Sequence, residues 1–268
     1  MTDTAKPPLI SVITITLNDR DGLARTIQSL QAQVGAPEVE HIIVDGMSDY
    51  DVARLLAELG STAILHQGRD AGLYDAMNRG TSLARGDYLL YLNGGDVLAR
   101  ENVLATVGTV LTSERPDFLF GDSLEKQLDG EIRYKPSRPI KRLPLGMITH
   151  HQAMVFRRAV IEENAIRYDL NYRIAADYDF VLKHFRASKI IHYLPEPICI
   201  FETGGVSFTK NHLARKEQFL IRRKAFGSWL FAAVIYTLQL YLRTIRIVSP
   251  SAYWVIRGGS RSRNSGGV

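Results

Sequence analysis

At 268 residues, 46% of them hydrophobic, the chain is long enough to bury one sizeable core, or a core with an appended piece, without disulfides. Its one cysteine, Cys199, excludes an intrachain disulfide, and MTDTAKPPLI lacks the apolar stretch of a secretory signal, so the expected setting is reducing and cytoplasmic. The net charge of +5 is unevenly spread: from Asn211 onward ten Lys or Arg stand against Glu217 alone, giving +9 and leaving −4 for the rest.

The first hundred residues alternate between two periods. LISVITIT (9–16), EHIIVDG (40–46), TAILHQ (62–67) and DYLLYLN (87–93) are short apolar runs rich in β-branched residues and read as strands. Between them, 20–33, 50–59 and 72–85 read as helices, the first with Leu23, Ile27 and Leu30 at three- and four-residue spacing. This alternation predicts an α/β fold: a mainly parallel, Rossmann-like sheet with right-handed crossovers and helices on both faces. Ligands of such sheets bind outside the carboxyl ends of the strands.

Those ends carry polar groups: Thr16 and Asn18 after the first strand, Asp45 after the second, Arg69 and Asp70 after the third, Asn93 and Asp96 after the fourth. Singly, each Asp suits a helix cap or a turn; four ends in register along one edge point to a site. Neither a dinucleotide fingerprint nor a phosphate-binding glycine loop occurs. A divalent metal on a carboxylate such as Asp96 is another way to hold a diphosphate, and Gly94 and Gly95 leave room for it. Asp75 and Asn78, three apart, share one face of the third helix.

Further along, THHQAMVFRR sets two histidines before a strand, without the spaced partners a zinc site needs. In YRIAADYDFVLKHF (172–185), Asp177 begins an apolar helical stripe, where an acid also suits the helix dipole. WLFAAVIYTLQLYLRTIRIV (229–248) is apolar for ten residues and then interrupted by Gln239, Arg243 and Arg246. That is short of the roughly 20 apolar residues a bilayer span needs. Flanked by Arg222, Arg223 and Lys224, it reads as an interfacial helix on an anionic membrane surface, or else as a helix packed on the body or in a dimer. The final GGSRSRNSGGV reads as disordered.

The series ISVITITLN, IIVDGMSD, DAGLYDAMNRG, ARGDYLLYLNGGD, THHQAMVFRR and AADYDF, in that order over about 9–208, resembles family 2 glycosyltransferases of the GT-A fold, especially bacterial enzymes of exopolysaccharide and other surface glycans. The resemblance implies a nucleotide-diphosphate sugar donor, a lipid-linked or polymeric saccharide acceptor, Mn2+ or Mg2+, and transfer with inversion. Thr16, Asn18, Asp45 and Asp70 match positions lining the nucleotide, and the face of Asp75 and Asn78 lies beside the donor. Asp96 matches the last acid of the metal motif. Many relatives carry a second acid at the position of Gly95 or Asn93; here there is none, which implies a weaker metal site with Asn93 orienting a metal-bound water. Asp177 matches the general base, with Ala176 replacing the usual preceding acid and Asp179 the runner-up. His151 and Gln152 match the acceptor side. FETGGVSF (201–208) is like the family's flexible segment near the diphosphate, with Lys210, His212 and Arg215 in reach of phosphate oxygens.

The expected organisation is a GT-A domain over 1–209 and a basic, partly apolar helical extension over 210–268, peripheral at the inner face of the cell membrane. Three other readings compete with this one. A sugar nucleotidyltransferase needs a Gly/Arg-rich loop after the first strand, which TLNDRDG is not. A catalytically weak nucleotide- or glycan-binding protein is suggested by Gly95 and Ala176. A nucleic-acid partner rests on the basic tail alone, and the scarcity of interleaved aromatic and basic residues elsewhere argues against it.

Overall fold

The structure, a computed structural model, describes residues 7–202 and 211–249. It divides into two compact units, Met1–Ala214 and Arg215–Val268. The first begins with β1 (Ile10–Thr16), α1 (Arg20–Gln31), β2 (Val39–Asp45), α2 (Val52–Glu58), β3 (Ile64–Gln67), α3 (Leu73–Leu83) and β4 (Tyr88–Tyr91). There follow β5 (Val97–Leu98), α4 (Val103–Ser113), β6 (Phe118–Lys126), β7 (Ile132–Lys135), β8 (Met154–Arg157), α5 (Arg158–Glu163), α6 (Ala176–Ala187) and β9 (Ile191–Glu202). The sheet runs β3-β2-β1-β4-β8-β6-β9-β5, with β7 on β6.

The expected strands and helices are present, one or two residues shorter at most ends. Their half of the sheet, β3-β2-β1-β4, is parallel throughout. The other half is mixed: β8 runs antiparallel to β4 and β6, β9 parallel to β6, and β5 antiparallel to β9. β1 and β4 are buried along their whole length and β2 along most of it, which explains their continuous apolar runs, while β3 at the sheet edge stays partly exposed. Ile43 packs with Leu23, Ile27, Val52, Leu55 and Leu56 of α1 and α2. On the opposite face α3 comes so close that a Cβ on Gly80 would stand 2.4 Å from Ile13 Cγ2. At the amino ends of β1, β2 and β4, Glu40 accepts hydrogen bonds from Ser11 Oγ (2.5 Å), Arg85 N (2.6 Å) and Gly86 N (3.1 Å), fastening three strands with one carboxylate.

The second unit holds most of α7 (Asn211–Phe226) and all of α8 (Trp229–Val248). Gly227, at φ +62, makes the turn, and Ser228 Oγ caps α8 by accepting from Phe231 N at 3.1 Å. The pairs Phe226–Phe231, Phe219–Tyr236 and Gln218–Gln239 step outward from that turn, so the helices form an antiparallel hairpin. Along α8, Leu230, Val234, Leu238, Tyr241 and Val248 are exposed at helical spacing, beside exposed Trp229. Among the described residues no helix is long and apolar enough to cross a membrane. The residues GGSRSRNSGGV, and 203–208 of FETGGVSF, lie outside the described residues.

Candidate active site

The chain leaves β1 for β2 and β3 on one side and returns to β4 on the other, so the order reverses between β1 and β4. That switch point opens a crevice at the carboxyl ends, where neighbouring connections diverge. The β4–β5 connection there, Leu92–Asp96, is tied to α1 by Thr26. The Thr26 hydroxyl accepts from Gly95 N at 3.0 Å and donates to the Asp96 carbonyl at 2.7 Å. Gly95 sits at φ +97, a conformation side chains rarely adopt, and Gly94 lies against Thr16 and the Ile15 carbonyl. An acid at position 95 would therefore be strained by the backbone itself.

On the β1–β2 side the predicted nucleotide residues form one bonded group. Asp45 is fully buried and accepts from Ser48 N, from Ser48 Oγ at 2.6 Å and from Gln67 Nε2 at 3.1 Å. Ser48 Oγ also receives Asn18 N at 2.8 Å, and Asn18 Oδ1 receives Asp49 N. Ser48, which links the two strand ends, escaped the sequence reading because a serine in a turn carries no distinguishing signal. Asp70 accepts from Gly72 N at 2.9 Å, with its other oxygen facing Gly46. Thr16 is buried at the crevice floor. Asn93 Oδ1 is buried there without a hydrogen-bond partner, an acceptor available to a ligand.

Other expected residues are engaged in holding the frame. Asp75 accepts from Ala71 N and Arg79, closing the first turn of α3. Both ends of the Asn78 amide bond the Tyr168 backbone at 2.9 Å, so the side chain is fastened to that loop. His151, expected on the acceptor side, is enclosed by Tyr91, Phe156, Tyr168 and Phe180, and bonds the Tyr168 hydroxyl at 3.0 Å. Burial pushes its pKa down to about 3, so it is neutral. Its neighbour His150 is the accessible one: it stacks on Phe201 at 4.1 Å and bonds Glu125 at 2.9 Å, while Glu125 also holds Lys135. Those partners, the His150 hydrogen bond first, hold the Glu125 carboxyl down at about 2.

Gln152 lies inside as well, donating to Asp96 Oδ2 at 2.7 Å, and Glu202 N donates to Asp96 Oδ1 at 3.2 Å. Burial pushes the Asp96 carboxyl up to about 7. Each Asp96 oxygen accepts one hydrogen bond and keeps a lone pair, and among the described residues no group of three His, Cys, Asp or Glu is placed to share a cation, so the expected Mn2+ or Mg2+ would rest on Asp96 with donor phosphate oxygens and water filling the rest of its shell. Asp177 stands in the first turn of α6, partly buried, its Oδ1 accepting Tyr178 N. Asp179 is buried and paired with Lys183 at 2.5 Å, so of the two Asp177 is the more accessible. His212 and Arg215 lie in α7, and Lys210 is outside the described residues.

Residues 11–165, which include β1 through β8, match the family described as glycosyl transferase family 2. The chain belongs to this family. A curated family relative, an uncharacterised glycosyltransferase of Mycobacterium tuberculosis, is 34% identical over 236 residues, spanning 82% of this chain and 87% of the relative. A PGL/p-HBAD biosynthesis glycosyltransferase of Mycobacterium bovis is 32% identical over 209 residues, 75% of this chain and 80% of its own. Among solved structures, S. aureus TarS 1-349 in complex with UDP-GlcNAc superposes with a TM-score of 0.68 at 16% identity, covering 93% of this chain and 76% of that one. The mannosyltransferase PcManGT of Pyrobaculum calidifontis, in complex with GDP-Man and Mn2+, gives 0.58 at 16%, covering 96% and 81%. At those identities the likeness establishes the fold, which is GT-A; family membership rests on the sequence matches. The protein is thus a family 2 glycosyltransferase.

Proposed function

We propose that this family 2 enzyme moves a sugar from a nucleoside-diphosphate sugar to a saccharide hydroxyl, with inversion, in the building of a surface polysaccharide. The observation that carries the reading is the crevice between β1 and β4, with buried Asp45 and Thr16 on one side and the unpartnered Asn93 Oδ1 on the other. Asp177 is the base. Its carboxylate accepts the acceptor's hydroxyl proton as that oxygen attacks the anomeric carbon from the face opposite the diphosphate. The bond from that carbon to the diphosphate oxygen breaks, its electron pair leaves with the diphosphate, and a single displacement inverts the centre. The Mn2+ of the mannosyltransferase neighbour and the family resemblance favour a cation, which would neutralise the leaving diphosphate. Asp96 would hold it through the lone pair left on each carboxylate oxygen.

The printed name of the mycobacterial relative supports a cell-surface glycan as product class. A lipid-linked acceptor agrees with the exposed stripe of α8 and the exposed Arg223 and Lys224 at its turn, which suit an anionic membrane surface at the cytoplasmic face. The first test is calorimetric titration of UDP, GDP, dTDP and CMP into the full chain, with and without Mn2+. Tight binding of one nucleotide supports the donor site; binding of none removes it. For the membrane, flotation on anionic vesicles should fall in the double variant Leu230→Gln, Leu238→Gln, and unchanged flotation refutes lipid contact.

A further inference from the structure

The crevice floor presents four charged groups, none of them expected from the sequence. A Cβ placed on Gly95 would stand 3.6 Å from Asp19 Oδ2, 3.6 Å from Glu202 Oε2 and 3.9 Å from Arg25 Nη2. Arg25 Nη2 bonds Glu202 Oε2 at 2.8 Å, and Lys126 Nζ bonds Glu202 Oε1 at 3.2 Å. One carboxylate is thus held by two cations, one on each oxygen, beside the glycines where the strands end. Asp19 spends its Oδ1 on capping α1 at Gly22 N.

These ion pairs contribute little to folding. Their side chains are 39% to 44% exposed, and pairs of that kind are worth about 0–1 kcal/mol each. They come from α1, β6 and β9, with Lys126 and Glu202 facing each other at the last pair of the β6–β9 ladder. A guanidinium and an ammonium spaced to hold two oxygens of a carboxylate are also equipped to hold oxygens of a diphosphate, which carries more charge.

We infer that Arg25 and Lys126 are the groups that receive the diphosphate of the donor, and that Glu202 is an internal stand-in which they release when it binds. The inference rests on the donor reading above. Arg25 and Lys126 are set against the carboxylates of Asp19 and Glu202, and release of Glu202 turns both cations toward the incoming diphosphate. The leaving diphosphate then finds its counter-charge in side chains. That answers a specific feature of the chain, because both Asp96 oxygens already accept a hydrogen bond and the Gly95 backbone disfavours a second acid beside it.

The test is calorimetric titration of the full-length protein with UDP, GDP and dTDP, each compared with its monophosphate, in the presence of a chelator. Arg25→Gln and Lys126→Gln should each weaken the diphosphate by about tenfold while leaving the monophosphate nearly unchanged, and Glu202→Gln should tighten the diphosphate by a similar factor. Thermal melts of the three variants should match the parent, since all three side chains are exposed. If a diphosphate binds but Glu202→Gln weakens it, or Arg25→Gln and Lys126→Gln leave it unchanged, the cation assignment is overturned and the donor site survives. If no nucleotide binds to the parent protein with or without Mn2+, both readings fall. A diphosphate that binds the parent only when Mn2+ is supplied overturns the assignment alone.

Discussion

Replacing His151 with Gln tests the buried aromatic centre against which strand β8 packs. The imidazole sits among four rings with one partner, the Tyr168 hydroxyl, and its folded pKa is driven down to about 3 from 6.5 by burial. The native state therefore binds fewer protons here than the unfolded chain does. The contribution is complete above about pH 6.5 and is lost as pH falls toward 3. At about pH 5 the loss amounts to about 2 kcal/mol, a large share of a typical stability of about 5–15 kcal/mol. Glutamine cannot titrate, and it retains a group able to meet the Tyr168 hydroxyl. Urea unfolding of wild type and His151→Gln, followed by circular dichroism, should show the stability gap shifting by about 2 kcal/mol in favour of the variant between about pH 7.5 and about pH 5. His41 and His184, also held down at about 4 by burial, act in both proteins and cancel in the difference. A gap that stays constant with pH would refute the burial argument, whatever its size at neutral pH.

Asp177→Asn should retain nucleotide binding in calorimetry and lose transfer by about 10²-fold or more, the range of general-base catalysis; equal loss of both would make Asp177 structural. Gly80→Ala forces a methyl to within 2.4 Å of Ile13 Cγ2 and should cost about 1–3 kcal/mol in denaturant unfolding, with α3 displaced from the sheet. Burial raises the Glu40 carboxyl, but its Ser11, Arg85 and Gly86 donors outweigh that and hold it below the usual glutamate value. Its contribution is thus present above about pH 4.5 and lost as pH falls through the folded pKa. Glu40→Gln should cost about 1–3 kcal/mol at neutral pH, and the cost should shrink in acid; a pH-independent cost would refute the ionised fastening.

The parallel half of the fold was legible in the sequence because both faces of β1, β2 and β4 are covered. Burial on both sides writes an unbroken apolar run, and each intervening helix writes its own period. The strand-end residues Thr16, Asn18, Asp45, Asn93 and Asp96 were legible for the same reason, being placed by local chain order. What local order could not decide was which side chains a polar atom would meet. Asn78 lies on the predicted face yet gives its amide to the Tyr168 backbone, 90 residues away. Gln152 turns inward to Asp96, and His151, rather than His150, is the histidine sealed in the core. The mixed half of the sheet was equally hidden, since β5, β8 and β9 find their neighbours by long-range pairing. Arg25, Lys126 and Glu202 are surface charges in three unrelated stretches, and only the closing of α1 over the β6–β9 edge makes them one group. Chain order and hydrophobic period determined the strands and where their ends stand, because both act over a few residues. The partners that local order could not supply, Gln152 for Asp96, Tyr168 for Asn78 and Glu202 for Arg25, were decided by packing at separations of 56, 90 and 177 residues, where only the tertiary structure speaks.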